Sequence, residues 1–114
     1  MKRARGLALA PLAACLLLPA SASAARCSFT DISGFPAVHG GQVHGISCAT
    51  AKVVANRIQA GYARDGEQPR RLRANGMRFR CRYRFFTEGD AQLQRATCRR
   101  TRRPAHRAVL KLSA

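Results

Sequence analysis

The chain has 114 residues, and 21 lysines and arginines against five acidic residues give it a net charge of +16. That length holds one domain and excludes a multidomain architecture. A charge so positive points to anionic partners and carries no information about the fold.

The N-terminus reads as a secretory signal peptide. Lys2, Arg3 and Arg5 precede an apolar run from Gly6 to Leu18, and Pro19-Ala20-Ser21-Ala22-Ser23-Ala24 supplies the small residues that signal peptidase requires. Cleavage is expected after Ala24, with Ala22 as the alternative. The apolar run rises only ~20 Å as a helix, short of the ~30 Å core of a bilayer. Leu12-Ala13-Ala14-Cys15 resembles a lipobox, but Leu16, Leu17 and Leu18 continue the apolar run beyond the cysteine. Export without acylation at Cys15 is therefore the expectation. The division is 1–24 signal peptide and 25–114 mature domain. Removing 1–24 takes three of the 21 basic residues and none of the five acidic ones, so 18 face five and the net charge is +13.

Four cysteines remain: Cys27, Cys48, Cys81 and Cys98. An even number in a short exported chain implies disulfides, which a domain this small and this charged needs for stability. No two of them have zinc-ligand spacing, and His39, His44 and His106 add none, so neither a metal nor another cofactor is expected.

Along the mature chain, residues 26–33 alternate weakly and predict a first strand. Gly34 to Gly41 contains Pro36 and predicts a connection, and Gln42 to Ile46 a second strand joined to the first as a hairpin. Ser47 is a suitable N-cap for a helix over 48–60, where Cys48, Ala51, Val54, Ala55 and Ile58 form one apolar stripe and Gly61 is a stop. Tyr62 to Asn75, with Gly66, Pro69 and several charges, reads as an exposed loop.

The strongest pattern follows. Met77, Phe79, Cys81, Tyr83 and Phe85 alternate with Arg78, Arg80, Arg82 and Arg84, which specifies a strand with one buried and one solvated face. Glu88-Gly89-Asp90 predicts a turn. Ala91 to Arg99 return as a strand, with a bulge needed to bring Leu93 and Cys98 to one face. Arg99, Arg100, Arg102 and Arg103 with Pro104 predict a basic loop, and Ala108, Leu110 and Leu112 a last strand. The expected fold is α+β: a small, meander-like antiparallel sheet in the order β-β-α-β-β-β, covered on one face by one helix. The first hairpin and the 88–90 turn predict disulfides Cys27–Cys48 and Cys81–Cys98.

Val43 to Val54, with its Ser47-Cys48-Ala49-Thr50-Ala51 helix start, resembles a segment of small, mostly uncharacterised secreted proteins of high-GC bacteria. Phe79-Arg80-Cys81 and Cys98 stand where that group has an aromatic-x-Cys strand and a last cysteine. The cysteine layout spans residues 27–112. The resemblance implies a fold and an exported location, and it brings no catalytic residues.

Four functional readings follow from the residues. A thiol of Cys48 at a helix start beside His44 would be a nucleophile, but pairing of Cys48 removes it. His44, His106 and Lys111 would be the acid, base and cation of a small basic ribonuclease if they converged. The 62–75 loop would be the contact element of a secreted inhibitor or interaction domain. The preferred reading is not an enzyme. It is a generic polyanion or cell-envelope binding module in which Arg78, Arg80, Arg82 and Arg84, about 6.8 Å apart on one strand face and extended by Arg95, Arg99 and Arg100, engage anionic polymers or cell-surface components.

Overall fold

A computed structural model describes residues 24–29, 32–102 and 106–113. It contains strands β1 (Ala24–Cys27), β2 (Ala37–His44), β3 (Arg71–Ala74), β4 (Met77–Glu88), β5 (Ala91–Arg100) and β6 (Arg107–Ser113), with one helix, α1 (Cys48–Asp65), between β2 and β3. The strands form one six-stranded sheet in the order β1-β2-β6-β5-β4-β3, and every neighbouring pair is antiparallel. The α+β class, the covering helix and both disulfides are as the residues predict. Residues 1–23 of the expected signal segment, Cys15 among them, lie outside the described residues, as do Asp31 and Arg103.

Two tight turns, Asn75-Gly76 and Gly89-Asp90, set the register of β3, β4 and β5. Asn75 (φ 51°) and Gly76 (φ 78°) both adopt positive φ, the turn whose twist matches the flanking strands of a hairpin. It pairs Ala74 with Met77. Counting on from that pair, Met77, Phe79 and Cys81 direct their backbone groups toward β3, and Arg78, Arg80 and Arg82 direct theirs toward β5. Accordingly, the Cys81 amide donates to the Arg70 carbonyl at 2.8 Å. Cys81 then faces Cys98 at a rung without backbone hydrogen bonds, where strands approach most closely. Their Cα atoms are 4.0 Å apart and the disulfide closes across that rung.

Helix α1 begins where Ser47 accepts the Thr50 amide at 3.1 Å. It presents Ala51, Val54, Ala55 and Ile58, all fully buried, to one face of the sheet. Phe79, Cys81, Ala96, Cys98, Ala108, Leu110 and Leu112 meet them from that face. Cys27, at the end of β1, is bonded to Cys48 in the first turn of the helix, so a disulfide ties the helix start to the edge of the sheet.

Several expected boundaries differ. The first strand is confined to Ala24–Cys27 and the second lengthens back to Ala37, because β2 pairs with β6 as well as with β1. The helix continues past Gly61 to Asp65 and stops at Gly66, whose left-handed conformation lets its amide reach the Tyr62 carbonyl. Gly61 is buried inside the helix, where a Cβ would stand 2.8 Å from the Pro69 ring. The expected loop over 62–75 is thus the helix end, a short connection and β3. No bulge interrupts β5 opposite β4; Leu93 lies on the outer face opposite Phe86. Arg99 and Arg100 end β5 rather than opening a loop. The sheet is a meander only from β3 to β6, since β6 returns between β5 and β2.

Candidate anion-binding face

The face of the sheet away from α1 is set by the alternation on β4. Residues of β4 in phase with the buried Cys81 point inward, so Arg78, Arg80, Arg82 and Arg84 point outward. Opposite them on β5 are Arg99, Thr97 and Arg95, at the rungs Arg80↔Arg99, Arg82↔Thr97 and Arg84↔Arg95. On β6, Arg107 faces Arg99 and Lys111 faces Arg95. On β3, Arg71 faces Arg80 and Arg73 faces Arg78.

These pairings place Arg71, Arg80, Arg99 and Arg107 on successive rungs of one line across four strands, and His44 on β2 extends it beyond Arg107. Their Cα atoms are spaced by alternating gaps of about 4.5 and 5.5 Å. Like charges directly opposite one another are destabilising. Among the described residues, the ion pairs are Arg64–Asp65 and Lys111–Glu88, so this line has no carboxylate partner there. Arg107 is half-buried; its Nη2 stands 3.5 Å from His44 Nε2, and its Nε is buried without a hydrogen-bond partner.

Arg80, Arg82, Arg84, Arg95, Thr97 and Arg99 line a shallow depression of about 360 Å³ on this face. It has room for an anionic group the size of a phosphate or sulfate, with guanidiniums on both sides and the Thr97 hydroxyl between them. Five of the seven arginines singled out in the sequence therefore meet there. Arg78 is on the same face beyond the depression. Arg100 does not join them: it faces the buried Phe79 across the rung and lies on the helix side of the sheet. Arg71, Arg73 and Arg107 were not identified from the sequence. Asn75-Gly76 between two alternating segments was a usable signal for the first two. Arg107 has no local signal, because its place depends on strand order.

The aromatic residues divide between the faces. Phe79 is buried and Tyr83 half-buried on the helix side, whereas Phe85 on that side is 63% exposed. Phe86 points outward, and the Arg95 guanidinium sits 4.7 Å from its ring centre, a cation–π contact that orients the arginine.

The ribonuclease trio does not converge. His44 reaches Arg107, and the His106 ring packs against the Cα of Gly45. Lys111 lies four residues beyond Arg107 along β6, about 13 Å away, and donates to both oxygens of Glu88 at 2.8 and 2.9 Å. Cys48 is paired with Cys27, so no free thiol stands at the helix start. Of the 62–75 segment expected as the contact loop of an inhibitor, residues 66–70 are a connection and the rest lies in α1, β3 and the turn after it.

No family model matches the chain, and neither does any curated protein or solved structure.

Proposed function

We propose that the protein is an exported polyanion-binding module that acts at the cell envelope or outside the cell, gripping extended anionic polymers on its outer sheet face. The observation that carries this reading is the line Arg71–Arg80–Arg99–Arg107. Solubility is served equally well by scattered cations. Guanidiniums stacked on adjacent rungs repel one another, and a multivalent anion converts that repulsion into binding. The residues offer phosphate or sulfate groups many cations and few base-stacking platforms, which favours recognition of charge over sequence.

Export is supported by the pattern of residues 1–24 and by the two disulfides, which persist in oxidising compartments. Among the described residues, no helix is long and apolar enough to cross a membrane. Membership of the group of secreted proteins resembled by residues 43–54 belongs to the same proposal, supported by the pairing of its four-cysteine layout.

The test is binding of inorganic polyphosphate and of a single-stranded DNA homopolymer across a range of ionic strength. Four or five phosphate contacts on a single strand give a log–log salt slope near −3, at about 0.7 per contact. Arg80→Gln with Arg99→Gln should lower the slope by about 1.4. Arg57→Gln with Arg64→Gln, on exposed positions of α1, should leave it nearly unchanged. Equal losses from both pairs would reduce the effect to net charge, and no binding at ~0.15 M salt would overturn the proposal.

A further inference from the structure

Strand β4 is longer than the strand beside it. β3 pairs with residues 77–80, and the last backbone bond on that side is from the Cys81 amide to Arg70. β4 runs on to Glu88. By the alternation set at the Asn75-Gly76 turn, Tyr83, Phe85 and Thr87 direct their N–H and C=O groups away from β5. Among the described residues, no strand receives them. An edge of this kind is a template for another strand.

The surroundings of the edge are specific. The connection after α1 curls to the helix side, where the Tyr83 hydroxyl donates to the Pro69 carbonyl at 2.6 Å. A groove of about 1030 Å³ opens between that connection and β4, with Arg70, Arg71, Arg80, Arg82 and Arg84 among its lining residues. Of the two carboxylates in the groove, Asp65 is paired with Arg64 at 3.1 Å and Glu67 is exposed. Along the edge, Arg82 and Arg84 stand on one side of the strand and the exposed Phe85 on the other.

We propose that the 82–88 edge of β4 binds an extended segment of a partner protein in which acidic and apolar residues alternate, adding it to the sheet as an antiparallel strand. Backbone bonds to Tyr83, Phe85 and Thr87 hold the segment. Its acidic side chains fall beside Arg82 and Arg84, and its apolar ones beside Tyr83 and Phe85, because side chains of adjacent strands at one rung share a face. A second copy of this chain is the poorer occupant, since its own 82–88 edge brings two more arginines and one carboxylate, Glu88, which Lys111 already holds at 2.8 Å. This surface shares Arg82 and Arg84 with the polyanion face and differs from it in what it reads: backbone and alternation as well as charge.

The experiment uses the oxidised protein and terminally blocked, fluorescein-labelled octapeptides followed by anisotropy. One peptide alternates aspartate and valine; an isomer carries four aspartates followed by four valines. The alternating peptide should bind at least about tenfold more tightly, because only it satisfies both faces of the edge while making the backbone bonds. In antiparallel addition the valine N–H groups face β4. N-methylation of the valines should therefore abolish binding, and N-methylation of the aspartates should preserve it. Phe85→Pro removes an outward amide without removing a bond to β5 and should also abolish binding, with circular dichroism reporting its fold. Equal binding of the two isomers, or indifference to both sets of N-methyl groups, would overturn the edge while leaving polyphosphate binding by the outer face intact. A concentration-dependent dimer blocked by Phe85→Pro would overturn it in favour of self-pairing.

Discussion

Arg80 and Arg99 stand directly opposite each other on the outer face, one rung from the disulfide between Cys81 and Cys98. The covalent link thus fastens β4 to β5 beside a point where two guanidiniums repel. Arg71 and Arg107 on the flanking strands add to the same line of charge.

That relationship makes stability depend on salt. Raising ionic strength from ~0.01 to ~0.15 M shortens the screening length from about 30 to about 8 Å, so the melting temperature should rise. Arg99→Gln should stabilise the fold by about 0.2–1 kcal/mol at low salt and by less at high salt. Cys81→Ala with Cys98→Ala should lower the melting temperature and steepen its salt dependence. Calorimetry at several salt concentrations checks all three, and a melting temperature indifferent to salt would refute the repulsion.

The Cys27–Cys48 bond ties β1 to the start of α1 across a sequence separation of 21 residues. Closing a loop of that size restricts the unfolded chain by about 3 kcal/mol on entropy alone. Cys27→Ala with Cys48→Ala should destabilise by roughly that amount and expose the 24–27 segment to hydrogen exchange first. A non-reducing digest linking Cys48 to Cys81 would contradict the topology.

Gly61 gives a test of helix packing. In an exposed helix, alanine for glycine stabilises by about 1 kcal/mol. Here a Cβ would stand 2.8 Å from Pro69, so Gly61→Ala should instead destabilise by about 1–2 kcal/mol. Pro69→Ala in the same chain should restore most of the loss, as measured by denaturant melts.

Tyr83 links the same connection to the sheet. Burial pushes its phenol above the usual range, which favours the protonated, donating form in the folded state. The unfolded phenol ionises near pH ~10, so this contribution is whole below that pH and lost as pH rises above it. Tyr83→Phe should cost about 0.5–1.5 kcal/mol at neutral pH. It should also flatten the alkaline decline of stability, as read from urea melts between about pH 8 and pH 11.

What the chain determines by itself is the local pattern. Nine alternating residues from Met77 to Phe85 dictate a two-faced strand, Ser47 caps a helix, and cysteines placed symmetrically about the 88–90 turn pair across it. These features rest on side-chain period and turn chemistry, which act over a few residues. Gly61 and Gly66 show the boundary: both are plausible stops, and packing of Pro69 against Gly61 leaves the helix to end at Gly66. The short strand Arg71–Ala74 is a strand only because Asn75-Gly76 folds it back on β4. Tertiary structure alone decided that β6 lies between β5 and β2. Ala108, Leu110 and Leu112 had to be buried under α1, and that position covers them. The same choice brought Arg107 into line with Arg99, Arg80 and Arg71, because strand order and register, which no local pattern encodes, determine which charges face one another.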